Sequence, residues 1–357
     1  MSSIEPKISV IVPTYNRAYM INECIEAILA QTMNDFEVIV VSDGATDNTK
    51  VVVEKYHEPR VLFFEKQNGG QASARNYGII RSKGEYISLC DDDDRLYPDH
   101  LATLSESLEN HKDVGLVYSD AIWIYKDRSK DPEVKFSQDF NKKSLENYNY
   151  ITTQTVMFRK SCLKNNVLFD ESPQLRNGLE DWEFFLRLSD NHAFSHIKKI
   201  TCEYSVHKGN SFQVGSGYDY NQAFFIVRTR RFQYLISKFG HLLFDHVDHM
   251  YPFHLVQCYI NNGKAEESLD LALKLYSLYK TYSQKRNCHP ITLPLILFSL
   301  GISSFVSGYE EKAKIFFSTI ANCPAYELIK FQVADFVGQY INRMPNASLK
   351  TLMRSCL

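Results

Sequence analysis

Residues 8–90 alternate between short apolar runs and stretches in which apolar positions recur with helical spacing. The runs are rich in β-branched and aromatic residues, which is typical of buried strands. The predicted strands are residues 8–12, 36–41, 61–64 and 86–90. The predicted helices between them are residues 20–31, 47–56 and 71–82. This alternation predicts a mostly parallel sheet with helices on both faces.

Beyond about residue 218, strand-like runs give way to helical spacing. The predicted helices are residues 224–239, 251–260, 265–279, 293–306, 310–320 and 326–341. Segments 255–275 and 297–320 each consist of a helix, a turn at Gly263 or Gly308, and a second helix. This repeat resembles tetratricopeptide hairpins, with a simple helical bundle as the alternative interpretation. We therefore predict an α/β domain over residues 1–217 and an all-α domain over residues 218–357.

Composition narrows the possible classes of function. The net charge is −2 and no long basic run occurs, which argues against a nucleic-acid-binding protein. The eight cysteines are widely spaced, without a CxxC pair, so a reduced compartment is expected and no zinc site is indicated. No signal peptide is evident, and Pro294 and Gly301 interrupt the apolar stretch 291–306. We expect a cytoplasmic protein, and peripheral association with the inner membrane face is compatible with this sequence.

Four consecutive aspartates, Asp91 to Asp94, follow the predicted strand 86–90. Adjacent carboxylates repel one another unless a cation lies among them, and Mg²⁺ or Mn²⁺ is the natural partner of such oxygen ligands. Alternate residues of an extended segment face the same side, so Asp91 and Asp93 can share one ion. The alternative is a solvated acidic loop that caps a helix beginning near Pro98. The position at the carboxyl end of a buried strand favours the metal site.

Asp43 ends the second predicted strand, at the same edge of the predicted sheet. Its carboxylate can accept hydrogen bonds from a nucleobase or a ribose, and Gly44 allows a ligand to approach the backbone. The alternative is a turn in which Asp47 caps the next helix. We assign the cap to Asp47 and ligand binding to Asp43.

The motifs in this region occur in a specific order. They are Val-Pro-Thr-Tyr-Asn-Arg at 12–17, Val-Ser-Asp-Gly-Ala-Thr-Asp at 41–47, Asn-Gly-Gly at 68–70, Ala-Arg-Asn-Tyr-Gly at 74–78, and the aspartate run followed by Pro98. Together they resemble family 2 glycosyltransferases of the GT-A fold, a Rossmann-like α/β arrangement, over residues 6–215. The resemblance implies an inverting, metal-assisted transferase of the hexosyltransferase type. Its expected donor is a UDP-sugar, its acceptor a hydroxyl of a saccharide or glycoconjugate, and its setting bacterial surface polysaccharide or glycan synthesis.

The resemblance also implies roles for individual residues. The expected contacts of the nucleotide-sugar are Pro13, Tyr15, Asp43, Arg75, Asp91 and Asp92, with Asp43 at the base and Asp92 near the ribose. Asp91 and Asp93 match the DxD signature that holds Mn²⁺ or Mg²⁺ on the diphosphate. His207 is expected to complete the metal shell or to touch the diphosphate, and Lys208 is an alternative phosphate contact.

Residues 178–187 resemble the Glu-Asp motif of the family, which implies that Asp181 is the general base. An inverting transfer needs one carboxylate that deprotonates the attacking hydroxyl, while a metal ion stabilises the departing diphosphate. The alternative is a helix N-terminus with Glu180 and Asp181 placed favourably against the helix dipole. Gln154 lies in the predicted strand 153–158. Both Gln154 and Glu180 are expected to contact the acceptor.

Two other functions fit parts of this pattern. A nucleotidyltransferase would need a glycine-rich basic loop after the first strand, and residues 14–17 contain no glycine. A non-catalytic scaffold with a degenerate transferase domain would not need Asp91, Asp93 and Asp181, all of which are intact. The helical C-terminal part is expected to recruit partners or to form a homo-oligomer.

Overall fold

The protein is described from a computed structural model, which covers residues 5–135, 137–164, 167–176, 178–207, 210, 220–286, 289–290 and 292–321. The chain divides into two compact units, Met1–Tyr220 and Asn221–Leu357. The predicted domain boundary at residues 217–218 and the predicted helix 326–341 lie outside the described residues, so both stay predictions.

The first unit alternates strands and helices. Its strands are β1 (Ile8–Thr14), β2 (Phe36–Asp43), β3 (Val61–Lys66), β4 (Tyr86–Leu89), β5 (Arg95–Leu96), β6 (Val114–Tyr125), β7 (Glu133–Lys135), β8 (Val156–Arg159) and β9 (Ala193–Val206). Its helices are α1 (Ile21–Leu29), α2 (Thr49–Glu54), α3 (Gln71–Arg81), α4 (His100–Asn110), α5 (Lys142–Asn147) and α6 (Glu180–Leu188). Every element predicted for residues 8–90 is present, with ends within two residues of the prediction.

The described strands pair in the order β3-β2-β1-β4-β8-β6-β9-β5, and β7 pairs with β6. Strands β3, β2, β1 and β4 are mutually parallel, and β8 runs antiparallel to both of its neighbours. The chain moves from β1 to β2 on one side and later returns to β4 on the other side. The carboxyl ends of β1, β2 and β4 therefore surround a topological switch point, where open α/β sheets bind ligands. The predicted α/β sheet with a helical C-terminal part is confirmed.

Strands β1 and β2 are buried along their whole length because helices cover both faces of the sheet. Successive side chains of a strand point to opposite faces. Val10 and Val12 belong to the core that contains the buried side chains of α1 and α4. On the opposite face, a Cβ at Gly78 of α3 would lie 2.7 Å from Ile11 Cγ2 and 3.2 Å from Val41 Cγ2. Helix α3 therefore packs very closely on the sheet at this glycine.

The second unit is helical in its described part. Its helices are α7 (Tyr220–Phe239), α8 (Leu243–His246), α9 (Tyr251–Asn261), α10 (Ala265–Ser283), α11 (Thr292–Val306) and α12 (Glu310–Ala321). Gly263 joins α9 to α10 and Gly308 joins α11 to α12, with φ of 71° and 82°. In both turns the amide after the glycine donates to a carbonyl five residues earlier, which is the Schellman closure of a helix. The repeated hairpin is present, while its assignment to the tetratricopeptide class stays a prediction. None of the described helices has both the length and the apolar character needed to cross a membrane.

The close packing of α3 gives a test of the fold. We expect Gly78→Ala to lower the free energy of unfolding of the first unit by about 1–3 kcal/mol, because the added methyl group overpacks the contact with β1. The measurement is urea denaturation followed by the fluorescence of Trp123 and Trp182, the two tryptophans of the chain, which both lie in this unit.

The control for this substitution is Ile80→Ala on the exposed face of the same helix, where the side chain is 64% exposed. It should change the free energy by no more than about 0.5 kcal/mol. Equal effects of the two substitutions would contradict the close approach of α3 to the sheet.

Candidate functional site

A cavity of about 710 Å³ opens at the carboxyl ends of β1, β2 and β4. It brings together residues that are far apart in the sequence. The predicted site residues that line it are Pro13, Tyr15, Asp43, Arg75, Asp91, Asp92, Asp93, Glu180 and Asp181. The predicted donor, metal and general-base residues therefore share one cavity, apart from His207, which contacts Asp93.

Asp43 holds the loop after β3 in place. Its Oδ1 accepts hydrogen bonds from Lys66 Nζ at 2.7 Å and from the Gly69 amide at 2.9 Å, and its Oδ2 accepts one from the Gly70 amide at 2.7 Å. Gly44 has a φ of +76°, and a Cβ there would lie 2.8 Å from the Asn68 nitrogen. Gly44 thus makes room for the loop, in addition to the predicted approach of a ligand.

The turn after Asp43 contains the predicted helix cap. Helix α2 begins at Thr49, one residue after its N-cap Asn48. The carboxylate of Asp47 accepts hydrogen bonds from the amides of Thr49 and Ala18, at 3.0 and 2.9 Å. Asp47 therefore accepts a hydrogen bond from the first amide of α2, although it stands one residue before the N-cap. It also connects the turn after β1 to the turn after β2.

Arg75 is fully buried between two carboxylates. Its Nη2 donates to Asp91 Oδ1 at 2.7 Å and its Nη1 donates to Glu180 Oε1 at 2.5 Å. Burial raises the pKa of Glu180, while the Arg75 charge opposes that shift. Arg75 therefore joins the strand end of β4 to the start of α6. Its predicted contact with the nucleotide stays a prediction.

Asp91 makes different contacts from Asp92 and Asp93. Asp91 Oδ2 accepts a hydrogen bond from Thr153 Oγ1 at 3.1 Å. Arg17 Nη1 lies 2.7 Å from Asp92 Oδ1 and 2.7 Å from Asp93 Oδ2. Burial raises the pKa of Asp92 to about 6, against the opposing charge of Arg17. Arg17, which belongs to the first motif, thus pairs with two of the aspartates.

Asp93 and Asp94 differ although they are adjacent. His207 Nε2 lies 2.8 Å from Asp93 Oδ2. Although burial opposes it, the hydrogen bond with His207 and the charge of Arg17 hold the pKa of Asp93 below its usual value. Asp94 accepts a hydrogen bond from the Ser205 amide at 2.9 Å, and burial together with the neighbouring aspartates raises its pKa well above the usual value. Asp94 therefore fastens the aspartate loop to β9.

The predicted metal ligands are only partly assembled. Within the described ranges, no three His, Cys, Asp or Glu side chains are arranged to hold an ion. Asp93 lies beside His207, whereas Asp91 is turned toward Arg75 and Thr153. In the part of the chain that the structure describes, the buried Asp92 Oδ2 has no hydrogen-bond partner. An oxygen-rich set with an unsatisfied carboxylate oxygen fits a hard divalent cation.

Asp181 lies in the first turn of α6, a helix that begins directly after Leu179, whose φ of 62° is left-handed. Its Oδ1 accepts a hydrogen bond from the Trp182 amide at 2.7 Å and its Oδ2 accepts one from Asn149 Nδ2 at 3.1 Å. Burial raises the pKa of Asp181 to about 7, and the neighbouring charge of Glu180 adds to the shift. A carboxylate with a pKa near the working pH is suited to general-base catalysis.

The predicted strand 153–158 is only partly present. Residues 153–155 form a 3₁₀ turn before β8, and this turn buries Gln154 completely. Asn149, Thr152 and Thr153 line the cavity and Gln154 does not, so its contact with the acceptor stays a prediction. Glu180 does line the cavity, but its Oε1 is bound to Arg75. Lys208 lies outside the described residues.

Several residues of the site had no assigned role in the sequence. Arg17 stands within the first motif, and Lys66 is the register partner of Asp43 in the parallel pair of β2 and β3. Arg176 lines the cavity and donates to the Asn68 backbone carbonyl at 3.3 Å and to the Asn68 side chain. The signal for Lys66 was its position at the end of a predicted strand, whereas Arg176 stands in a segment without a repeating pattern.

Comparison with known proteins agrees with this geometry. Residues 9–164 match the family model described as glycosyl transferase family 2. An uncharacterized glycosyltransferase of Rickettsia typhi is 35% identical over 53% of this chain and 61% of its own length. The chondroitin synthase of Pasteurella multocida is 30% identical over 68% of this chain and 25% of its own length. The chain thus spans less than two thirds of the length of either relative.

The fold has counterparts among solved structures. The crystal structure of Staphylococcus aureus TarS 1–349 in complex with UDP-GlcNAc matches 90% of this chain and 92% of its own, with a TM-score of 0.53 and 19% identity. At that identity the likeness concerns the fold. The family match shows that residues 9–164 are part of a glycosyl transferase family 2 domain, and the likeness to TarS agrees with the predicted GT-A fold of the first unit.

Proposed function

We propose that the protein is an inverting glycosyltransferase that moves a sugar from a nucleotide-diphosphate sugar, a UDP-sugar, to a hydroxyl of a saccharide or glycoconjugate acceptor. The observation that supports this most directly is that Asp43, the aspartates Asp91 to Asp93 and Asp181 line one cavity of about 710 Å³. The names of the chondroitin synthase relative and of the UDP-GlcNAc complex are consistent with this activity. Bacterial surface polysaccharide or glycan synthesis is the proposed setting.

Asp181 is the proposed general base. In its ionised form it takes the proton of the acceptor hydroxyl as that oxygen attacks the anomeric carbon of the donor. The bond from the anomeric carbon to the diphosphate oxygen then breaks, and the nucleoside diphosphate leaves. The hydrogen bonds from Asn149 and from the Trp182 amide fix the direction of the carboxylate.

The aspartate run and His207 form the proposed binding site of the diphosphate. Members of this family generally use a divalent metal ion. Asp91, Asp93 and His207 are the proposed ligands of Mn²⁺ or Mg²⁺ here, with Asp92 beside them near the ribose. When bound, such an ion supplies positive charge that stabilises the departing diphosphate. Arg17 already brings one positive charge to Asp92 and Asp93.

The helical unit has a core of its own, formed by buried side chains between residues 232 and 320. It is therefore a folded module with its own core. We propose that residues 218–357 recruit a partner or form a homo-oligomer, and that the protein associates peripherally with the inner membrane face.

We expect Asp181→Asn to lower the transfer rate by a factor of about 10²–10⁴, because the amide cannot accept the proton, while donor affinity is kept. In the wild type, kcat/KM should rise with pH up to about 7, the pKa of Asp181, because only the ionised carboxylate is a base. The measurements are steady-state kinetics across pH and calorimetric titration with the donor.

Asp139→Asn is the control for this substitution, because the Asp139 side chain is 68% exposed and absent from the cavity wall. It should leave both quantities unchanged. Normal turnover of the Asp181→Asn variant would assign the base elsewhere.

We expect a chelator to weaken the binding of UDP by at least about tenfold, because the diphosphate then faces uncompensated carboxylates. Asp93→Asn should reduce the affinity for Mn²⁺, measured by electron paramagnetic resonance without a nucleotide. Asp139→Asn again serves as the control. An affinity for UDP that is the same with and without the chelator would exclude a metal role in donor binding.

We expect Arg75→Met to lower the free energy of unfolding of the first unit by about 3–5 kcal/mol, because it leaves the buried Glu180 and the largely buried Asp91 without their cation. Tryptophan fluorescence during urea denaturation measures the change. Arg81→Met, on the exposed part of the same helix, is the matched control and should have an effect of no more than about 0.5 kcal/mol. Comparable stabilities of the two variants would argue against a positioning role for Arg75.

A further inference from the structure

The carboxylate of Asp43 has nearly all its hydrogen-bonding capacity filled. A carboxylate offers about four acceptor positions, two on each oxygen. Oδ1 accepts from Lys66 Nζ and from the Gly69 amide, and Oδ2 accepts from the Gly70 amide. Residues in the described part of the chain thus fill three of these acceptor positions and leave one, on Oδ2. The side chain is 5% exposed and lines the cavity, so this is the position that remains for a ligand in the cavity.

The arrangement is built into the sheet. Asp43 and Lys66 are register partners at the ends of the parallel strands β2 and β3, so their side chains leave the sheet side by side. Lys66 Nζ is fixed further by a hydrogen bond to the Gln67 carbonyl at 2.6 Å. The Lys66 side chain is 13% exposed, which makes the pair with Asp43 a largely desolvated one. The ammonium group therefore keeps Oδ1 filled.

The nucleobases differ in how many donors they present to a carboxylate. Uracil and thymine offer a single ring N–H, at N3, between two carbonyl groups. Guanine offers two adjacent donors, N1–H and the N2 amino group, which pair with both oxygens of one carboxylate. Cytosine and adenine present an amino N–H beside a ring nitrogen, and the lone pair of that nitrogen is repelled by a carboxylate. A buried polar group that loses its partner costs binding free energy, so a mismatch of one donor discriminates strongly.

We propose that Lys66 is a specificity residue that makes Asp43 a selector for a 2,4-dioxopyrimidine base. Because Lys66 and Gly69 fill Oδ1, only Oδ2 is left to accept one N–H, which suits uracil or thymine. Guanine would leave its second donor without an acceptor and facing the Lys66 ammonium group. This inference rests on the proposed donor site and names the residue that sets its preference for the base.

Calorimetric titration of the full chain with UDP, GDP and N3-methyl-UDP, at a fixed Mn²⁺ concentration, tests the proposal. The wild type should bind UDP at least about tenfold more tightly than GDP, and the N3-methyl group should abolish the advantage of UDP. In Lys66→Met, Oδ1 gains a vacant acceptor position, so the ratio of the Kd for GDP to the Kd for UDP should fall by about tenfold or more.

Two further variants separate specificity from general damage. Lys66→Arg keeps a cationic donor on Oδ1 and should retain the wild-type ratio. Lys50→Met removes a lysine that is 51% exposed and paired with Glu65, and it should also retain that ratio. The thermal unfolding of each variant, followed by tryptophan fluorescence, shows whether it is folded.

Each outcome decides the proposal. An equal loss of UDP and GDP in Lys66→Met would overturn it, since Lys66 would then serve only the structure of the loop. If Lys66→Met does not fold, the wild type decides: GDP bound as tightly as UDP, or N3-methyl-UDP bound as well as UDP, overturns the proposal. Binding of no nucleoside diphosphate would overturn both this inference and the proposed function, whereas UDP binding without base selectivity overturns the inference alone.

Discussion

The structure of the site depends on the compensation of buried negative charge. Carboxylates from β2, from the loop after β4 and from α6 converge on one cavity, and burying an isolated carboxylate is very costly. The chain meets this cost with a cation for each group of acids. Lys66 lies on Asp43, Arg17 on Asp92 and Asp93, and Arg75 between Asp91 and Glu180. These side chains are structural supports of the acids that are proposed to act on the substrate.

The same pairing explains how four similar aspartates acquire different properties. Asp92 and Asp94 have raised pKa values because burial dominates, whereas His207 and Arg17 lower that of Asp93. Burial also raises the pKa of Asp181, to about 7. A group that takes up a proton and a group that stays ionised can thus stand in one cavity, because each has a different neighbourhood.

The sequence predicted the elements of residues 8–90 well, because strands buried on both faces read as continuous apolar runs and the helices between them keep a strong period. It also placed the aspartate run at the carboxyl edge of the sheet. It missed the 3₁₀ form of residues 153–155, since a turn of three residues leaves no periodic signal, and it gave Lys66 no role, because that role depends on the register of two strands. Charge pairs between distant segments have no signature in a single sequence.

The long reach of these pairs has a consequence for how the protein folds. Arg75 and Glu180 are 105 residues apart in the chain, and Asp93 and His207 are 114 apart. Contacts of this sequence separation require the closure of a long loop, whose entropic cost is met only when the intervening chain is largely ordered. Strands β1, β2 and β3 pair between neighbouring segments, and Lys66 contacts Asp43 within that group. The contacts of Arg75 with Glu180 and of Asp93 with His207 form only when α6 and β9 are in place. The part of the site around Asp181 is therefore completed after the part around Asp43.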